Sequence, residues 1–149
     1  ECGMERRELI FTSFHNAPKW ELGVPHEVVR DLFLLGNLFI FPSVSENCPL
    51  ILLEAMASKN LLILNKDFQP MFDFAGNNAL YFKFGSLENK VNYAQGLDNY
   101  LKDVATLIVS EMNQNKALMA NINLRKKFNI DYVFKHQLQP AIEEIYASM

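Results

Sequence analysis

Two carboxylates, Glu46 and Glu54, bracket an otherwise almost wholly apolar run, "NCPLILL". Burying an unpaired carboxylate costs several kcal/mol, so an acid in such a run needs a partner within the fold or a ligand. Pro49 lacks an N–H and suits the first turn of a helix, where that donor has no use. A helix starting there offers backbone donors and the positive end of its dipole around residues 47–50, which attract phosphate. Glu54 then lies about five residues along, ~7 Å down the axis. A carboxylate can accept two hydrogen bonds from a vicinal diol such as that of ribose. A nucleoside diphosphate therefore fits this frame. Its phosphates would meet the backbone of Asn47, Cys48, Pro49 and Leu50, its ribose would meet Glu54, and Glu46 would face a group beyond the diphosphate, such as a sugar. The competing reading gives Glu54 a basic side chain or backbone donors inside the fold, which is the commoner fate of a lone acid in a core-like helix.

The flanking elements favour a ligand. "LFIF" (38–41) is a continuous apolar run closed by Pro42, the pattern of a strand buried on both faces. Its loop feeds the helix predicted from Pro49 to Lys59, and ligands gather at the carboxyl ends of strands in open parallel sheets. "ELIFTSF" (8–14), "LLIL" (61–64) and "ALYF" (79–82) read as further strands. "PHEVVRDLFLLG" (25–36) spaces Val28, Val29, Leu32 and Leu35 as a helix, and a short helix is predicted over Met71 to Ala75, broken by "GNN". This rhythm predicts an α/β fold, a Rossmann-like parallel sheet with helices on both faces. From about residue 86 the pattern turns helical. A stripe runs through 88–112, "QNKALMANINLRKKF" (114–128) continues or restarts the helix, and Asp131 caps a last helix reaching Tyr146, with Pro140 as a kink. Residues 1–149 read as one domain.

Composition sets the bounds. At 149 residues, half of them hydrophobic and twelve of them Phe, the chain can build a sizeable core. A formal charge of -3 argues against a nucleic-acid partner, which needs a basic face. Cys2 and Cys48 are too few and too far apart for a disulfide framework, so the cytoplasm is the expected compartment. No apolar run reaches the ~18 residues of a membrane span, and no signal-peptide pattern is present. The opening "ECGMERRELIF" lacks an initiator Met, and the chain is expected to be a piece of a larger protein.

Pro42-Ser43, Glu46, "NCPLILL", Glu54 and Ala55-Met56-Ala57 together resemble the donor-binding half of GT-B glycosyltransferases of the "glycosyl transferases group 1" kind. The signature there is a Glu, seven residues and a Glu after a strand ending in Pro-Ser. "GVPHEVVRDLFLLGNLFIFPS" (23–43) and "LLILNKDFQPMFDFAGNNALYF" (61–82) look like the segments on either side, so the resemblance covers residues 8 to 84. It implies the C-terminal half of a GT-B fold, incomplete at its N-terminus, from an enzyme that moves a sugar from a nucleotide-sugar donor to an acceptor with retention. By position it implies Glu54 on the donor ribose, Glu46 as the catalytic-site glutamate near the transferred sugar, and Asn47, Cys48, Pro49 and Leu50 as the turn meeting sugar and diphosphate. Asn47 and Cys48 replace the usual Gly and aromatic, which leaves the sugar open. The extra residues 14–22 fall beside the nucleobase pocket, so His15 or Trp20 could touch the base; a surface loop with a packed Trp is the equal alternative.

The glycine-rich turn, the diphosphate-neutralising Arg and Lys and the N-terminal acceptor domain of the family would precede residue 1, so this piece alone is expected to be inactive. No cofactor and no metal are expected. Self-association through an apolar patch left by the missing domain is expected. Two other classes stay open: a non-catalytic nucleotide-binding or partner subunit, and a sugar-nucleotide epimerase of GT-B shape. His15, His26 and His136 show no metal-ligand spacing, and Cys48 has no evident catalytic His. The basic run "LRKKF" (124–128) reads as a solvated helix end, or more sharply as a contact with an anionic membrane or a lipid-linked acceptor, which would make the protein membrane-peripheral.

Overall fold

The computed structural model describes residues 23–84 and 97–149. The chain divides into two compact units, Glu1–Leu32 and Phe33–Met149. His15, Trp20, the strand expected over residues 8–14 and the first part of the 88–112 stripe lie outside the described residues.

Helix α1 (His26–Leu35) begins beyond Pro25, whose carbonyl accepts from the N–H groups of Val28 and Val29. Three strands follow, β1 (Leu38–Phe41), β2 (Leu61–Asn65) and β3 (Leu80–Phe82), parallel throughout and in spatial order β1-β2-β3. The register pairs Leu38 with Leu61 and Ile63 with Leu80. Helix α2 (Leu50–Ala57) connects β1 to β2, and α3 (Gln69–Ala75) connects β2 to β3. Both crossovers step in the same direction along the sheet, and a constant crossover hand then brings both helices to one face.

Strand periodicity sorts the core into two layers. Leu62 and Leu64 pack with Phe39, Phe41 and Tyr81 against Leu52, Ala55 and Met56 of α2 and Met71 and Ala75 of α3. On the same side lies Ala120, which a later helix contributes. On the other side Leu61, Ile63 and Leu80 gather Leu38, Phe82, Phe84 and Ile108, the last of these from α4 (Leu97–Met112). The helix that carries Ala120 is α5 (Lys116–Lys127). All five residues of β2 are buried, as the run "LLILN" requires. Each apolar side chain there contributes about 1.5–3 kcal/mol relative to exposure. The expectation that β1 is buried on both faces fails, because Ile40 is 52 % exposed. Among the described residues β1 is an edge strand that pairs only with β2, so its outer side lacks the cover β2 enjoys.

Three buried asparagines satisfy backbone groups where elements end. The Asn65 side chain donates from Nδ2 to the Ser43 carbonyl beyond β1 (3.2 Å). Its Oδ1 accepts from the N–H of Asp67 beyond β2 (3.2 Å) and of Phe84 beyond β3 (3.3 Å). One carboxamide thus ties together the carboxyl ends of all three described strands. Asn60 donates to the Phe33 carbonyl in the last turns of α1 (2.9 Å). Asn121 of α5 donates to the carbonyls of Met56 (3.1 Å) and Ala57 (2.9 Å) at the end of α2. The rest of that helix end closes on itself. Lys59 takes the left-handed conformation (φ 60°), which lets its N–H reach Met56 and the N–H of Asn60 reach Ala55. Glycine usually occupies such a position, and a side chain there is mildly strained. With Ser58 N–H on the Glu54 carbonyl, the last four carbonyls of α2 all have partners.

The remaining helices follow the pattern with local shifts. Helix α3 starts at Gln69 rather than Met71, since Pro70 fits a first turn. Gly76 (φ 56°) ends it in a single 3₁₀ turn, Gly76–Asn78. Residues 114–128 restart a helix: Gln114 N–H turns back to Glu111, and α5 begins after Asn115. The last helix is capped by Asn129, not by Asp131: Asn129 Oδ1 accepts from Tyr132 N–H at 2.8 Å. Asp131 lies inside α6 (Ile130–Val133), where its charge suits the positive dipole end. A wide π-helical turn (Phe134–Leu138) joins α6 to α7 (Gln139–Ser148). Pro140 has no N–H for the carbonyl four residues back, so the tail loosens at that turn.

Two outcomes are expected. Asn65→Ala removes the partner of one carbonyl and two N–H groups at this part-buried edge and destabilises the fold by about 2–4 kcal/mol in denaturant unfolding. Tyr81 donates its hydroxyl to the Gly76 carbonyl at 2.6 Å. Burial, aided by the negative charge of Asp73, pushes its phenol up from 10.0 to about 12. Its neutral form therefore contributes stability that is complete below pH 10 and lost as pH rises through about 12. Unfolding curves across that window will show the loss in the native chain and a smaller one in Tyr81→Phe.

Candidate functional site

Residues 42–49 connect β1 to α2 at the carboxyl edge of the sheet. Asn65 holds the start of this loop through the Ser43 carbonyl. The Ser43 hydroxyl, with a single proton, lies within reach of Glu46 Oε1 (3.0 Å) and of the Ser45 carbonyl (3.2 Å). Glu46 is half-buried, so its carboxylate is anchored on one oxygen and remains reachable. At the far end Pro49 is fully buried and pins the loop to the body of the unit.

The backbone at Pro49 (φ -78°, ψ 73°) forms an inverse γ-turn that closes with Leu50 N–H on the Cys48 carbonyl at 2.9 Å. Leu52 N–H then bonds to the Pro49 carbonyl at 2.9 Å. Pro49 supplies no donor and that of Leu50 is taken by the Cys48 carbonyl, so an anion at this end would turn to the backbone of Asn47 and Cys48 and to the first-turn N–H of Ile51. Asn47 and Cys48 are both exposed. No side chain caps α2, and no acid sits in its first turn, so the helix end carries no negative group of its own.

Glu54 sits differently from what the sequence implied. Helix α2 buries Leu52, Ala55 and Met56 completely, yet Leu50 is 63 % and Ile51 39 % exposed. At ~100° per residue Glu54 falls roughly opposite the Leu52–Met56 stripe, beside Leu50 and Ala57. The apolar run is therefore not apolar because it is buried all round. Glu54 is half-buried on the outer flank and is already engaged by an interaction within the chain. It does not need a ligand to be tolerated.

The loop and helix thus gather Glu46, Asn47, Cys48, Pro49 and Leu50 at one edge, with Glu54 further along α2. His15 and Trp20 fall outside the described residues. Ser43 and Asn65 organise the edge, and sequence reasoning passed over both. Ser43 stood out only as part of a Pro-Ser strand end, and Asn65 only as the start of a turn; an Asn closing an apolar strand run was the available signal. Among the described residues no group of three or more His, Cys, Asp and Glu could hold a metal ion, and no helix is long and apolar enough to cross a membrane. Comparison with protein-family models, with curated proteins and with solved structures gives no match in any of the three.

Cys48 is free and exposed at this edge. In a Cys2→Ser background a thiol reagent will therefore modify it in the folded protein at a rate within about tenfold of the denatured chain, read by mass spectrometry, whereas a buried thiol would wait for unfolding.

Proposed function

We propose that the chain is the donor-binding half of a glycosyltransferase, of the GT-B kind that the sequence resembles, and that it binds the nucleoside diphosphate part of a nucleotide-sugar. The observation that carries this reading is Glu46, held by Ser43 at the carboxyl edge of a parallel sheet and followed by the uncapped N-terminus of α2. A carboxylate beside an electropositive helix end suits a ligand with an anionic part and a hydroxyl-rich part. The diphosphate would lie against Asn47 and Cys48, the sugar toward Glu46, and the ribose toward Glu54. In transfer, the helix end would stabilise charge building on the departing diphosphate. A separate acceptor-binding domain would bring the acceptor, and basic groups outside this edge would neutralise the diphosphate. The expected setting is the cytoplasm.

A second reading is favoured by Glu54, which is engaged within the chain and sits on the outer flank of α2. In this reading the chain is a non-catalytic nucleotide-binding or partner subunit, and Glu54 is structural.

Titration calorimetry of the chain with UDP, GDP and ADP tests the proposal. One of the three will bind in the micromolar to millimolar range and will slow Cys48 modification. Glu54→Ala will weaken binding by roughly 10–100-fold, about the worth of one charge-assisted hydrogen bond. Nucleotide binding unchanged in Glu54→Ala leaves the second reading standing. No binding of any of the three, with Cys48 equally reactive throughout, removes the donor-binding reading and the nucleotide-binding form of the second, leaving only a partner subunit that binds no nucleotide.

A further inference from the structure

The helical tail carries a surface that the nucleotide site does not use. Every residue from Phe134 to Met149 is exposed. Apolar side chains nevertheless recur at Phe134, Leu138, Ile142, Ile145 and Met149, a spacing of four, four, three and four that lays one stripe along a helix. Isolated helices of this length are marginal in water, and an amphipathic one normally owes its stability to what covers its apolar face.

The charges next to the stripe indicate what that cover is. Helix α5 ends in Arg125, Lys126 and Lys127, all exposed, and the chain turns directly into the tail through Asn129. Asn129 Nδ2 donates to the Arg125 carbonyl, which fixes the basic turn to the start of the tail. Ile130, 84 % exposed, lies three residues beyond Lys127. Lys135 follows on the tail itself. From residue 125 to 138 there are four cations against one acid, Asp131, in a chain whose formal net charge is -3. The other acids of the tail, Glu143 and Glu144, lie in its distal half. His136 packs against Tyr132 with the rings tilted by 36° and their centroids 4.4 Å apart. A basic cluster joined to an exposed apolar stripe matches an interface of opposite charge with an apolar interior, and a lipid bilayer has both.

We infer that residues 125–149 form an in-plane docking element for an anionic membrane surface. Phe134, Leu138, Ile142 and Ile145 enter the headgroup boundary, while Arg125, Lys126, Lys127 and Lys135 meet lipid phosphates and carboxylates. This element is separate from the edge built by Ser43 and Glu46, and it stands whether or not that edge binds a nucleotide.

Vesicle co-sedimentation of the full chain tests it. Vesicles of phosphatidylcholine with about one-third phosphatidylserine will bind the protein, and phosphatidylcholine alone will bind it at least tenfold less. Binding will fall steeply as salt rises toward ~0.5 M, since the attraction is screened. Lys126→Glu/Lys127→Glu and, separately, Leu138→Asp/Ile142→Asp will each lower binding at least tenfold with circular dichroism unchanged, because all four side chains are exposed. Equal binding to both vesicle types, or variants that bind like the native chain, overturns the inference. So does the absence of vesicle binding by a native chain that sediments as a dimer and becomes monomeric in Leu138→Asp/Ile142→Asp, because the stripe's occupant is then a second copy.

Discussion

A buried backbone carbonyl or N–H must find a partner, and the ends of elements are where the regular ladders stop supplying one. Parallel strands make this acute, because their carboxyl ends finish side by side at one edge of the sheet. Asn65 meets that demand with one side chain, since a carboxamide both donates and accepts. It gives its N–H to the segment after β1 and takes the N–H groups of the segments after β2 and β3. Everything at this edge depends on the arrangement. The loop that carries Ser43 and Glu46 is tied at its start by the Asn65 bond, and Pro49 closes it onto the first turn of α2.

Asn60 and Asn121 extend the same logic to helices. Asn121 belongs to α5, far along the chain, yet it completes the end of α2. That bond links the helix after Glu46 to the helical tail, so the candidate site and the tail share a framework. A leucine at position 121 would pack in similar volume but leave the Ala57 carbonyl without its partner and that of Met56 with the Lys59 N–H alone.

The strands were readable because each is a short apolar run with a hard stop. Pro42 closes β1, the Asn-Lys-Asp turn closes β2, and the limits observed lie within a residue of those the pattern implied. Helices were readable to within about two residues, with shifts set by local chemistry: Pro70 drew α3 earlier, and Asn129 took the cap that Asp131 could also have served. The orientation of α2 was not readable by eye. "LILLEAMA" is apolar almost all round, so nothing in it shows which side faces inward; only Leu52, Ala55 and Met56 do. Glu54 looked sunk in the core for that reason. Apart from the local turn bond from Asp67 to Asn65, the contacts of the buried asparagines were not readable, because their partners lie 19 to 65 residues away. The exposed side of Ile40 was hidden in the same way, since a four-residue apolar run does not say whether it lies at the centre or the edge of a sheet.

The Asn65 junction also bears on the order of events during synthesis. Its three partners are separated in sequence, with Ser43 emerging first and Phe84 last. A nascent chain that has delivered only β1 and β2 holds a buried carboxamide with part of its bonding unmet, and parallel pairs have no hairpin that could form alone. The Asn65 junction therefore gains its last described bond only once Phe84 has been made.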